Sequence, residues 1–336
     1  MSIADKKQHN RIAILEALRD AGETVGSEQI AASLLNRGVD LSERTVRLYL
    51  KRFDAEGFTV NVPKHGRSLT AQGLRELDVS TALTRVGYMS ARIDRMTYRM
   101  TFDLATRSGS VVVNMSLVRP EDLRSRLDSF LQVFEKGFAM GTLVGLLHPG
   151  EALEDLVVPE GFLGLCTVCS VTLNGVLLKH GVPVRSLFSG LLELKDGQPR
   201  RFAEIIAYEG TSIDPLEMFI RGGLTDYLGA IRNGNGRIGA GFREIPAESH
   251  GRVVALAETL GRIGLGAFLE IGLPGRSVLN IPVREGCCGV VVIGGLNPMA
   301  VFEESGIRVQ SRALSGTLDF VEMFPFQELP MRIAGK

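Results

Sequence analysis

The sequence has no excess of either charge sign: 38 Lys and Arg balance 38 Asp and Glu over 336 residues. A chain-wide attraction to nucleic acid is excluded, so any such surface must be local. Cysteine is scarce. Cys166, Cys169, Cys287 and Cys288 are the only four, too few for a disulfide framework in a chain this long. No apolar run reaches the ~18–20 residues of a membrane span. The opening MSIADKKQHN is polar and lacks the apolar core of a signal peptide. A reduced, cytoplasmic protein with no membrane partner is expected.

Catalytic and metal signatures are missing as well. There is no G-x-S-x-G, no P-loop and no G-x-G-x-x-G after a strand; GNGRIGAG (234–241) precedes one. The five histidines (His9, His65, His148, His180, His250) do not cluster with a nucleophile. The C-x-x-C of Cys166 and Cys169 lacks the two further ligands that zinc needs. Cys287 and Cys288 are adjacent, so a strand points them to opposite faces. No catalytic residue, metal or resident cofactor is expected.

What is present is a core-forming composition, 45% hydrophobic and 23% charged, over a length that fits about two to three domains. In the first eighty residues, Ile12, Leu15, Leu18 and Ala21 recur at helical spacing and Gly22 ends the run. Ser27 and Ser42 are placed as N-caps of two further helices that stop at Gly38 and Gly57. Two extended pieces around Pro63–Gly66 follow. This order predicts a winged helix-turn-helix over residues 1–80.

The third helix carries a buried stripe at Val46, Leu50 and Phe53 and cations at Arg44, Arg47 and Lys51 on another face. Ser42 and Thr45 fall in its first turn, where a recognition helix meets base edges. Arginine can bind guanine bidentately and lysine can neutralise phosphate. Lys64, His65 and Arg67 extend the same charge along the wing. A solvated face, or a winged helix that binds protein, are the other readings of this pattern.

The rest of the chain repeats itself. Residues 149–186 align with 274–311 without a gap. Identities such as Pro149/Pro274, Gly150/Gly275, Glu160/Glu285, Gly161/Gly286, Gly164/Gly289, Gly181/Gly306 and Ser186/Ser311 exceed the about two or three that chance gives. With one-residue shifts, 111–123 lies over 237–249 and 189–194 over 315–320; Ile93-Asp94 matches Ile213-Asp214. The expected fold class is α+β: the winged helix, then a regulatory domain of two tandem βαββαβ-like half-repeats, 81–205 and 206–330. A crevice between the halves is a natural ligand site. Asp196-Gly197 reads as a hairpin turn.

The alignment places Thr172 over Asn297, both N-cap types, each opening a short helix (~173–180 and ~298–305) that ends at Gly181 or Gly306. Small residues precede them: Cys169 and Ser170 in one half, Gly294 and Gly295 in the other. Strand, small residues and helix start make a ready anion site, with Asn174 in the first turn. Tight strand–helix packing asks for the same residue types. Arg243 aligns with Leu117, so the scaffold does not require it; a carboxylate contact and a surface salt bridge with Glu244 both fit.

CSVTLNGVLLKHGVPV (169–184), GFREIP (241–246), NIPV (280–283) and GGLNPMAVFEESGI (294–307), behind a small winged helix, resemble the NrpR nitrogen-repressor family over nearly the whole chain. The resemblance implies a repressor of nitrogen-assimilation genes, dimeric on a palindromic double-stranded operator and released by 2-oxoglutarate. On that implication the effector would meet Cys169, Ser170, Thr172, Asn174, Arg243, Gly294, Gly295 and Asn297. The rival reading is an enzyme acting on a small 2-oxo acid or dicarboxylate, with the winged helix as an interaction module. A third is a DNA-binding protein whose repeats only oligomerise, which a filled crevice would favour.

Overall fold

In the computed structural model, residues 3–22, 24–36, 38–63, 65–74, 76–77 and 88–334 are described. The chain forms two compact units, residues 1–86 and 87–336.

The first unit starts with three helices, α1 (Ile3–Ala21), α2 (Ser27–Asn36) and α3 (Glu43–Ala55), and a hairpin, β1 (Thr59–Val62) with β2 (Gly66–Leu69). Gly22, Gly38 and Gly57 take the left-handed conformation that stops each helix. Ser42 caps α3, its hydroxyl accepting from Thr45 N at 3.3 Å. Ser27 differs from expectation. It lies inside α2, Gln29 Oε1 accepts from Gly26 N instead, and the Ser27 hydroxyl donates to Glu43. Val46, Leu50 and Phe53 are fully buried in a small core with Ile14, Leu15 and Leu34. Gly66, at φ +107°, passes so close to Val25 that a Cβ there would sit 2.2 Å from its carbonyl oxygen. That approach lets Arg67 bridge to Val25 and closes the wing onto the helices. The unit is a winged helix.

The second unit contains α4 (Tyr88–Arg99), β3 (Ser110–Val118), α5 (Pro120–Glu135), β4 (Leu143–Leu147), a short hairpin β5 (Ala152–Leu153) with β6 (Leu156–Val157), β7 (Leu163–Val168), α6 (Val171–Lys179), β8 (Arg185–Lys195) and β9 (Gln198–Ala207). It continues with α7 (Pro215–Arg221), α8 (Tyr227–Asn233), β10 (Gly236–Pro246), α9 (His250–Arg262), β11 (Phe268–Ile271), β12 (Cys287–Ile293), α10 (Ala300–Glu304), β13 (Gln310–Asp319), β14 (Phe324–Pro325) and α11 (Leu329–Ala334). One apolar core runs through the whole unit. Asp196 and Gly197 both have positive φ and turn β8 into β9, as the sequence indicated.

Two five-stranded antiparallel sheets organise this unit, in the orders β13-β3-β7-β4-β14 and β9-β8-β10-β12-β11. The sequence alignment pairs β3 with β10, β4 with β11, β7 with β12 and β8 with β13. Under that pairing four strands of each sheet share one order, while β14 and β9 stand on opposite edges. Each sheet also borrows strands. β8 follows β7 and α6 in the chain yet pairs with β10, and β13 follows β12 and α10 yet pairs with β3. Neither half of the chain closes its sheet alone.

The strand exchange is marked by irregular register. On β8 one residue, Leu187, is skipped opposite Phe242 and Arg243. On β13 three residues, 313–315, stand between the Arg312–Met115 and Gly316–Val113 pairs, opposite Asn114.

Candidate functional site

The face of α3 that turns away from the core forms a concavity of about 540 Å³ lined by Ser27, Arg44, Thr45, Arg47, Leu48, Lys51 and Arg67. Its cations are not equivalent. Arg47 donates to Ser27 Oγ at 3.1 Å and to Glu43 at 2.6 Å. Those two partners hold the Glu43 carboxyl below its usual range, Ser27 most of all and then Arg47. Arg67 gives its Nε to Asp54, which also accepts from Thr59, so this arginine ties the wing to the end of α3. Neither Arg44 nor Lys51 has an ion pair among the described residues. Ser42 and Thr45 bond each other at 2.9 Å. His65 is exposed at the wing tip, and Lys64 lies outside the described residues. Leu48, 53% exposed in the middle of the basic face, is a member that charge-based reading passed over.

In the second unit the two strand–helix junctions do meet. A Cβ on Gly295 would sit 2.4 Å from Val168 O and 2.5 Å from Asn114 Nδ2, and one on Gly294 would sit 2.4 Å from Leu216. Contact between the junctions requires the glycine at 295, while packing of α7 requires that at 294. The expected N-caps are corrected. Thr172 lies within α6, fully buried, its Oγ1 donating to Val112 O and accepting from Val112 N at 3.0 Å each. The position before α6 is Ser170, which makes no side-chain cap. Asn297 opens a short 3₁₀ turn as a buried latch, its Nδ2 donating to Phe138 O and Gly239 O. Asn174 donates to Ser186. Thr172 N and Leu173 N donate to Cys169 O and Ser170 O, so the first amides of α6 already have partners. The reason is shared: Thr172, Asn174 and Asn297 are buried, so their side chains bond neighbouring elements, although Asn174 Oδ1 and Asn297 Oδ1 keep no partner among the described residues. Gly181 and Gly306 end their helices at φ +76° and +79°, as expected.

Arg243 is the charged case. It is 3% exposed, and its Nη2 donates to Ser170 Oγ at 2.9 Å, while Nε and Nη1 are buried without a partner. Burial pulls its pKa down. Glu244, one residue on, points to the other strand face and pairs with Arg284. Among the described residues no carboxylate pairs with Arg243, and an uncompensated buried cation is expensive.

Beside it lies a cavity of about 20 Å³ lined by Cys169, Ser170, Gly295, Tyr208, Asp214 and Leu314 among others, room for about one water. Burial pushes the Cys169 thiol up to about 12 and raises the Tyr208 phenol. The Tyr208 hydroxyl meets Ser189 Oγ. Asp214 caps α7, accepting from Leu216 N and Glu217 N. Burial first, and Glu217 second, push its carboxyl up to about 7. The sequence alignment flagged Ile213-Asp214 but assigned it no role. Tyr208, Ser189 and Asn114 gave no signal, because the strand exchange brings them in from distant parts of the chain.

A larger concavity of about 610 Å³ lies between α5, α9 and β11. Its lining is mostly apolar and its charged members are Glu258 and Glu270, which repel an anion, so it is the weaker candidate for a carboxylate ligand. Cys166 is buried with its thiol pushed up to about 12. Among the described residues no group of three His, Cys, Asp or Glu could hold a metal, and no helix is long and apolar enough to cross a membrane.

Comparison with known proteins adds the following. Residues 86–325 match the model for NrpR regulatory domains NRD1 and 2, and residues 12–77 match that for the ribonuclease R winged-helix domain. The chain is 33% identical to the global nitrogen regulator NrpRI of Methanosarcina mazei, over 93% of this chain and 96% of that protein. It is also 33% identical to the global nitrogen regulator NrpR of Methanocaldococcus jannaschii, over 97% of this chain but 56% of the longer relative. A crystal structure of a nitrogen repressor-like protein from Methanococcus jannaschii superposes with a TM-score of 0.59 at 25% identity, covering 70% of this chain and 97% of that one.

Proposed function

The chain belongs to the NrpR family of nitrogen regulators, and from that premise we propose a repressor of nitrogen-assimilation genes that leaves its operator on binding 2-oxoglutarate. The names of its relatives support transcriptional regulation of nitrogen genes. The winged helix is the DNA-binding part. Arg44 and Lys51, which have no ion pair among the described residues, serve base edges and phosphates, and Arg47 is held in place by Glu43 and Ser27. Two copies bind a palindromic operator as a homodimer.

One observation carries the effector half: a buried arginine with two donor atoms that have no partner among the described residues, bonded to a serine that lines the cavity where both sheets meet. A guanidinium so placed has donors to spare for a carboxylate. Residues from both halves, Ile93 to Ser189 and Tyr208 to Leu314, line the cavity, and ligand binding shifts the relation of the halves and so the spacing of the two recognition helices.

Titration calorimetry with 2-oxoglutarate is expected to give saturable heat, and the ligand should lower affinity for a DNA duplex selected by the protein from a random pool. No heat and no thermal shift at millimolar ligand removes the effector. The small cavity supports a second reading, in which the regulatory unit serves assembly alone; unchanged DNA affinity with saturating 2-oxoglutarate selects it.

A further inference from the structure

Leu314 adopts φ +50°, a left-handed conformation that a non-glycine residue enters at a cost of about 1–2 kcal/mol. It is also 3% exposed, in the middle of the three residues by which β13 departs from its register with β3. A regular strand would require no such conformation. The loop is instead held by side chains. Asn114 Oδ1 accepts from Leu314 N at 3.1 Å, Arg92 Nη2 donates to Leu314 O at 2.9 Å, and Glu217 accepts from Ala313 N. Ser315 Oγ accepts from Met115 N, replacing a ladder bond. These are discrete polar contacts, although Ala313 and Leu314 also belong to the buried apolar core. The equivalent strand β8 has a single skipped residue at its exchange.

Leu314 lines the same small cavity as Cys169 and Ser170, and Ser170 is the residue that accepts from Arg243. We propose that residues 313–315 are a displaceable plug, with Leu314 filling the space next to Arg243 in the ligand-free unit and leaving it when a small carboxylate binds. This rests on the effector reading above and adds its regulation. The plug accounts for two facts together: an arginine without its anion, and a cavity too small for one. It also gives the ligand a lever, because β13 connects the chain of the second half to the sheet of the first. Moving 313–315 shifts a strand shared by both halves.

The test uses the full chain and three substitutions. Leu314→Gly removes the side chain and accepts the left-handed backbone. Leu314→Ala removes the plug but keeps the strain, and Leu314→Met keeps the volume. In calorimetry with 2-oxoglutarate, Leu314→Gly should bind at least fivefold more tightly than wild type, Leu314→Ala somewhat less so, and Leu314→Met as wild type does. Wild-type binding with no gain in either truncation overturns the plug and leaves the effector standing. A gain of the same size in Leu314→Met also overturns it.

A second readout does not depend on the ligand. Iodoacetamide labelling followed by peptide mass spectrometry should rise about tenfold at Cys169 in Leu314→Gly, with Cys166 remaining inert. Unchanged Cys169 labelling overturns the plug whatever the calorimetry gives. Raised labelling with no 2-oxoglutarate binding by any form keeps the plug and rejects the effector.

Discussion

The outer face of α3 and the junction between the two sheets both feature arginine, and they keep it in opposite ways. Arg44 stands in water on a basic concavity and has no ion pair among the described residues. Arg243 is enclosed, bonded to one serine hydroxyl. An exposed cation loses little by standing alone, because water solvates it and salt screens it. A buried one loses several kcal/mol of hydration, and only geometry and partners offset the loss. Taken singly, then, Arg44 argues weakly for a function and Arg243 argues strongly. The α3 face gains its force from position on a winged helix, whereas Arg243 gains it from energetics.

The largest effect expected is at the buried member. Arg243→Met should abolish 2-oxoglutarate binding, at least ~100-fold, since breaking a buried charge pair costs about 3–5 kcal/mol. The same change should leave the melting temperature equal or higher, because an apolar group of similar volume replaces a poorly compensated charge. Calorimetry and thermal melting on one preparation check both. A strongly destabilised Arg243→Met would mean that the arginine is structural, and the contrast with α3 would collapse.

On the exposed side, Arg44→Ala should weaken binding to the selected duplex by about 1–3 kcal/mol and relax preference at one base position. Lys51→Ala should weaken all sequences evenly and lower the slope of log affinity against log salt by about one. Neither should change thermal stability. Anisotropy titrations over a salt series separate the two roles. Equal losses with no change in slope or preference would reduce the face to an undirected positive patch.

How much of this could be read beforehand also divides between the two regions. The winged helix was legible because its signals are local: apolar spacing at Val46, Leu50 and Phe53, Ser42 before α3, glycine stops, and a hairpin around Pro63–Gly66. Its one local error, Ser27, arose because the hydroxyl found a better partner in Glu43 sixteen residues away. In the second unit the order of strands and helices was legible in the sequence, and Arg243 and Ser170, both singled out there, lie in contact. The roles of Thr172 and Asn297 were not legible. Both are of N-cap type, but burial turned their side chains to Val112, Phe138 and Gly239 on other elements. Strand exchange was equally hidden, since pairing β8 with β10 instead of β3 leaves the same alternation of side chains. With it went Asp214, Tyr208 and the plug, which only that exchange brings to Arg243.

The smallest predicted effect concerns Asp214, the anionic counterpart in the same cavity lining. Its carboxyl titrates near 7 in the folded unit against an unfolded value of 3.8, so between these values the native state holds a proton that the unfolded chain has lost. Stability falls with rising pH wherever the native state binds more protons. The stabilisation is therefore fully present below about pH 4, is lost progressively up to about 7, and is flat above. Arg92 opposes the upward shift and Glu217 reinforces it. Asp214→Asn keeps an acceptor for Leu216 N and Glu217 N but cannot titrate. Between pH 5 and 7.5 the wild type should lose a few degrees of melting temperature that the variant retains, at about 2–4 °C per kcal/mol for a unit of this size. A carboxylate ligand beside Arg243 also avoids a second anion while Asp214 is protonated, so 2-oxoglutarate should bind wild type more tightly at pH 6 than at pH 8, and Asp214→Asn equally at both. Parallel pH profiles for the two proteins would place Asp214 in solvent and confine the electrostatics of the cavity to Arg243.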